Sequence, residues 1–270
     1  MLLKMNLITV YMPCALLTAA LGGCASSAVQ PAAQRSAQPP QVLLLGEQHD
    51  AAEHQQWQHD TVAQSAARQQ LSAVVLEMAD AGHSTQSLPT SASEAEAQTA
   101  LQWNDKGWPW KHYGPTVMVA VRAGVPVYGG NLPRAQMREV MQQTHWDTHL
   151  SPAQWQSQLK AIDEGHCGLL PEAQWAPMAR IQLAKDASIA RTAQQQVRAD
   201  KTVILIAGRG HVLRSIGIPT WLPASTTSVV AIGQAGDTVQ AAESDRDIVH
   251  LTPAVPPKDH CAALRAKWKK

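Results

Sequence analysis

Neither sign of charge prevails in this chain. Its 22 lysines and arginines face 21 aspartates and glutamates, so electrostatics offers no argument for nucleic acid or an anionic membrane surface as a partner. Long apolar runs are scarce as well. Beyond the first two dozen residues none approaches the ~20 residues a membrane-crossing helix needs. Tyrosine is rare, and only Tyr113 and Tyr128 lie beyond that start. Internal repeats are absent, which excludes a solenoid or propeller. Cysteine is limited to Cys14, Cys24, Cys167 and Cys261.

The amino terminus carries the clearest pattern. One positive charge, Lys4, precedes a mostly apolar run from Leu7 to Leu21. That run is too short to span a bilayer comfortably but suits a signal-peptide core. Leu21-Gly22-Gly23-Cys24 follows: a leucine, two small residues and a cysteine, the lipobox of bacterial lipoproteins. Small side chains admit the peptidase, and the Cys24 thiol takes the lipid. The sequence thus predicts a signal peptide over 1–23 and lipidation at Cys24. Ala25, in place of aspartate, favours the outer membrane, with the domain facing the periplasm and lipid as its only anchor. Residues 24–41, rich in Ser, Ala, Gln and Pro, read as a flexible tether. Residues 42–270 are long enough for one domain with its own core. In an oxidising periplasm, the leftover Cys167 and Cys261 are either one disulfide or two buried thiols; sequence supplies no distance to choose between them.

The domain reads as alternating strands and helices. Val42–Leu45, Ser72–Leu76, Val125–Tyr128, Thr202–Ala207, Ser228–Ile232 and Ile248–Thr252 are strand-like. Helical stretches run over 50–71, 115–122, 151–165 and 171–200, the last with a kink expected near Pro177. Trp57, Thr61 and Ser65 form a weak apolar stripe on the first helix. This order predicts an α/β fold with a mainly parallel sheet flanked by helices. Pro126 limits the third strand's pairing. Two stretches break the rhythm, about 79–115 and 142–174, and read as excursions over the carboxyl-terminal edge of the strands. The first holds Trp103, Trp108, Trp110, His112 and Tyr113.

Polar residues fall at the strand ends. Glu47 and His49 follow the first strand, Glu77 the second, Asn131 and Arg134 the third, and His211 the fourth. In an open parallel sheet these ends lie along one edge, where sites form. Gly46, Gly208 and Gly210 are expected to turn the backbone sharply there. Carboxylates with imidazoles can hold a divalent metal or do acid/base work. His49, His54 and His59, five residues apart, do not share a helical face and make no three-histidine cluster. His54 is expected to look inward near the site.

Gly46-Glu47-Gln48-His49, Glu77-Met78, Asn131-Leu132-Pro133-Arg134 and Gly208-Arg209-Gly210-His211, in this order, resemble the ChaN-like haem-binding uptake family. Gln182, Asp186 and Ala190, and Trp110, Tyr113 and Pro115, add to the resemblance, which runs from about Val42 to Leu222. The Tiki-type metalloproteases and erythromycin-esterase-like proteins are more distantly similar. The resemblance implies an exported haem-binding lipoprotein in iron acquisition, an outer-membrane haem receptor as partner, and homodimers around stacked haems with tyrosine as iron ligand. It makes Tyr113 the first ligand candidate, with His112 and His54 near it and Trp108 and Trp110 as a porphyrin wall; packing of those tryptophans onto the core is the alternative. Tyr128, within a strand, reads as core. The haem reading is non-enzymatic; a metal-dependent hydrolase using Glu47, His49, Glu77 and His211 is the enzymatic alternative, and a structural lipoprotein that binds only proteins is a third.

Overall fold

The computed structural model describes residues 38–239 and 241–268; the stretch read as signal peptide and most of that read as tether, Cys24 included, lie outside them. Six strands, β1 (Val42–Glu47), β2 (Leu71–Asp80), β3 (Val127–Asn131), β4 (Thr202–Gly208), β5 (Ser228–Ala235) and β6 (Ile248–Thr252), form one sheet in the order β3-β2-β4-β1-β5-β6. Every pairing between them is parallel. The fold is α/β, as the alternation of elements predicts. The helices are α1 (Ala52–Ala67), α2 (Glu94–Ala100), α3 (Trp110–Arg122), α4 (Arg134–Val140), α5 (Pro152–Gly165), α6 (Trp175–Gln195), α7 (Arg209–Val212) and α8 (His260–Trp268).

Successive strand residues point to opposite faces, and two cores result. Leu45, Val74, Leu76, Ile204 and Ile206 pack with Val62 of α1 and Val117 and Val121 of α3. Leu44, Val75, Val203 and Leu205 pack with Ile189, Ala190 and Ala193 of α6. Continuous apolar runs such as Val203–Ala207 follow from burial on both faces.

Several local expectations need correction. Helix α3 starts at Trp110, so Pro115 lies inside it and the first excursion is shorter than 79–115, because β2 also runs on to Asp80. Pro177 sits in the first turn of α6, where its missing N–H has no intrahelical partner to lose, so it starts the helix without interrupting it. Pro40 and Gln41, which the sequence places in a tether, bond to the sheet. The Pro40 carbonyl accepts from Thr202 Oγ1 at 2.7 Å, the Gln41 carbonyl from the Val203 N–H at 2.9 Å, and Gln41 bonds Thr227 from both sides. Pro126 stands just outside β3, an edge strand, where it costs no ladder bond.

Cys167 and Cys261 form a disulfide, Cα to Cα 5.8 Å, that joins the turn after α5 to the first turn of α8. No helix among the described residues is long and apolar enough to cross a membrane.

Candidate functional site: a carboxylate and imidazole network at the strand ends

Strand β4 inserts between β1 and β2, so the ends of three central strands meet although they are far apart in sequence. Glu47, Glu77 and the Gly208–His211 turn come together there, at the crevice an open parallel sheet reserves for ligands.

Glu47 is 1% exposed and surrounded by donors. Tyr113 Oη and His49 Nδ1 each lie 2.6 Å from Oε1. Gln58 Nε2 donates to Oε2 at 2.7 Å and Gln55 Nε2 at 3.4 Å. The inward face of α1 is therefore polar, carrying His54, Gln55 and Gln58, and the weak stripe of Trp57, Thr61 and Ser65 is not the face that docks. Gln55 and Gln58 were not singled out from sequence; their spacing of three on a helix just after Glu47 is the signal that finds them.

His211 sits between two buried carboxylates. Its Nδ1 bonds Asp186 Oδ1 and its Nε2 lies 3.2 Å from Glu77 Oε1. Burial alone lowers the His211 pKa, but Glu77 and Asp186 outweigh it and raise it to about 10. Burial pushes Glu77 up, yet His211, His49 and the Gly208 N–H, 2.7 Å from Oε2, hold it well below the usual carboxylate range. Burial raises Asp186 to about 6 against the pull of His211. The set is an imidazolium held between carboxylates. Asp186 and Gln182, whose Nε2 lies 2.9 Å from the His211 ring nitrogens, entered the sequence reading only through resemblance. A lone aspartate on the Ala-rich face of α6 is a local signal for the first.

His49 is the open member. Its side chain is 41% exposed, and Trp108 meets its ring edge to face, centroids 4.8 Å apart. Since the Glu47 carboxylate accepts, Nδ1 donates to it, and in the neutral ring Nε2 carries the lone pair, the arrangement that orients imidazole ligands toward iron or zinc. Burial lowers its pKa, but the Glu47 hydrogen bond and the Glu77 charge outweigh this and raise it above 6.5. Gly208 is required by close approach and not by a turn: a Cβ there would stand 2.8 Å from His49 Nε2. Its φ of −57° suits any residue. A cavity of about 610 Å³ opens here, lined by Glu47–Asp50, Gly208–His211, Lys258 and His260. That lies within the ~300–1,000 Å³ usual for small-molecule sites.

Other predicted residues lie elsewhere or act differently. Tyr113 is 3% exposed and donates to Glu47. Burial and the adjacent Glu47 charge push its pKa far up, so it is no ready phenolate, and its place as first iron ligand is not supported. Tyr128 is half-buried in β3, with its hydroxyl on Gln86 Oε1 at 2.9 Å. Trp110 is a core residue: it is buried, donates to Glu94 at 2.8 Å, and packs over Gly114, where a Cβ would touch the indole at 2.4 Å. Trp108 alone of that pair reaches His49. His112 is half-buried on α3, one residue from Tyr113. His54 is fully buried with both ring nitrogens engaged, by the Gln48 N–H at 3.0 Å and Thr252 Oγ1 at 3.1 Å, so it pins the 47–50 turn and cannot meet a ligand. Asn131 donates to the Glu77 carbonyl at 2.9 Å and braces the strand end. Arg134 is exposed at the start of α4 and outside the network; its backbone N–H bonds Asp80. Among the described residues no group of three or more His, Cys, Asp or Glu is placed to hold a metal ion. Glu47, Glu77 and His211 spend their polar atoms on one another and on their neighbours, so the metal-hydrolase alternative gains no support.

The chain is thus a six-stranded parallel α/β domain, covered by helices on both faces, with a half-exposed imidazole and a cavity at its strand ends. The sequence model of the family described as haem-binding uptake, Tiki superfamily, ChaN matches residues 33–222. The chain belongs to this family. Among solved structures it is similar to ChaN of Campylobacter jejuni, described with cofacial haem binding, at 25% identity over 77% of this chain and 86% of that one, TM-score 0.63. The type III effector HopBA1 is similar at 16% identity over 80% and 88%, TM-score 0.46. Among curated proteins no sequence matches this chain.

Proposed function

We propose that this chain is an exported lipoprotein, acylated on Cys24, that binds haem at the strand-end cavity with His49 facing the iron. The observation that carries the reading is His49 itself: the half-exposed imidazole of an otherwise buried network, with its Nδ1 held by Glu47. Imidazole is a common haem ligand. Trp108 supplies an aromatic wall beside it, and family membership supplies the cargo class. Tyr113 acts behind the ligand by holding Glu47. In the same reading the protein stands in the outer membrane facing the periplasm, exchanges haem with a receptor there, and pairs with a second copy around the bound haem.

The test is a haemin titration of the mature chain, Cys24→Ser, followed at the Soret band. Saturable binding that His49→Ala weakens and Tyr113→Phe leaves largely intact supports the site. Equal binding by His49→Ala and the parent moves the haem elsewhere, and absence of saturable binding removes the haem reading. Sedimentation with and without haemin reads the pairing.

A further inference from the structure

The cavity is not built by the family-matched residues alone. Its outer wall carries Lys258 and His260, which lie beyond the matched span of 33–222. They belong to a segment that leaves the edge strand β6 through Pro253, Pro256 and Pro257 and ends in α8. Such a proline-rich passage has little pairing of its own to fix it against the domain.

Two attachments hold it against the cavity wall. Cys261 is bonded to Cys167, on the turn after α5. One residue earlier, His260 Nε2 lies 3.4 Å from Asp50 Oδ2, on the turn after β1. That contact is partly exposed, and surface pairs of this kind contribute little alone; the covalent bond is the fastening. The charge of the segment suits its position. Glu47 and Asp50 on the cavity wall and Glu77 behind them repel an anionic ligand, whereas Lys258 and Arg209, also on that wall, carry the positive charge that carboxylates need.

We infer that residues 256–264 form a strap, fastened by Cys167–Cys261, which completes the ligand cavity and places Lys258 to bind the carboxylates of the bound molecule. This rests on the haem reading for the identity of that molecule, since haem carries two propionates. The strap itself does not depend on it.

The test has two arms, both on the mature chain with Cys24→Ser. In the first, haemin and haem dimethyl ester are titrated against the parent and Lys258→Glu, a change at an exposed position. Lys258→Glu is expected to weaken haemin binding by about tenfold or more, the scale of one lost charge-assisted hydrogen bond, and to leave the ester unchanged. Equal haemin affinity in the two proteins overturns the Lys258 assignment. In the second arm, hydrogen exchange is followed without ligand, before and after a dithiol reductant. The dithiol gives two electrons and two protons to the bridge, leaves two cysteine thiols, and closes to its own disulfide. Exchange across 256–264 and in the 47–50 turn is expected to rise on reduction, and Cys261→Ser to match the reduced protein. Unchanged exchange overturns the strap. A parent that binds no haemin but shows the exchange change removes the haem reading and leaves the strap standing.

Discussion

Tyr113 and Glu47, 66 positions apart in sequence, share a hydrogen bond of 2.6 Å between phenol and carboxylate. This ties α3 to the end of β1 and gives the tyrosine a holding role. Tyr113→Phe removes one of the donors on a buried carboxylate. The expected outcome is a loss of about 1–3 kcal/mol in denaturant unfolding, with the Soret position of bound haemin unmoved.

His49 must be neutral to offer Nε2 to iron. Its pKa is raised above 6.5 because Glu47 and Glu77 outweigh the effect of burial. Haemin affinity should be level at alkaline pH and fall as pH drops through that raised value, since protons then compete for the same lone pair. Titrations at stepped pH on the parent and on His49→Ala read this: the slope belongs to the parent only.

Gly208→Ala tests the close approach. A methyl 2.8 Å from His49 Nε2 must displace the imidazole or the strand end. Haemin affinity is expected to fall by about tenfold or more, while the far-ultraviolet circular dichroism stays that of the parent.

The buried His211 gives the fold an alkaline limit. Its folded pKa of about 10 exceeds the ordinary 6.5, so its protonated form contributes stability that is complete below about 6.5 and is lost as pH rises through about 10. Beyond that Glu77 and Asp186 face each other without the imidazolium. Unfolding free energy measured from pH 7 to 10.5 should decline, and His211→Ala should be less stable at pH 7 but flatter over this range.

The disulfide closes a loop across a separation of 94 residues. Chain-entropy reasoning gives about 4–5 kcal/mol for loops of this size. The mature chain with Cys24→Ser should resist alkylation until reduced, and Cys167→Ser with Cys261→Ser should lower the melting temperature.

The sheet was legible because its central strands are buried on both faces and read as nearly uninterrupted apolar runs such as Val42–Leu45 and Val203–Ala207, each stopped by glycine or a carboxylate. The same stops marked Glu47, Glu77 and His211. Less was legible where polar residues replace an apolar face. Helix α1 docks through His54, Gln55 and Gln58, so its periodicity is invisible to a hydrophobic reading. Helix α3 tolerates Pro115 because tertiary packing of Tyr113, Val117 and Val121 outweighs one missing bond. Tyr113 was marked only as an iron-ligand candidate in the aromatic excursion; that its phenol turns to Glu47 is a matter of helix phase. Lys258 and His260 had no motif to mark them; only the bridge at Cys261 brings them back to the cavity.

Strand β1 has a further consequence for how the protein is presented. The chain joins the sheet at Gln41, at the amino-terminal end of β1, and the cavity opens past Glu47 at the other end. Six residues of extended backbone separate the two by about 20 Å. Any pull through Gln41 is thus applied to a strand clamped on both sides by β4 and β5. Such a load is met by shear across two parallel ladders, at the edge remote from the cavity mouth.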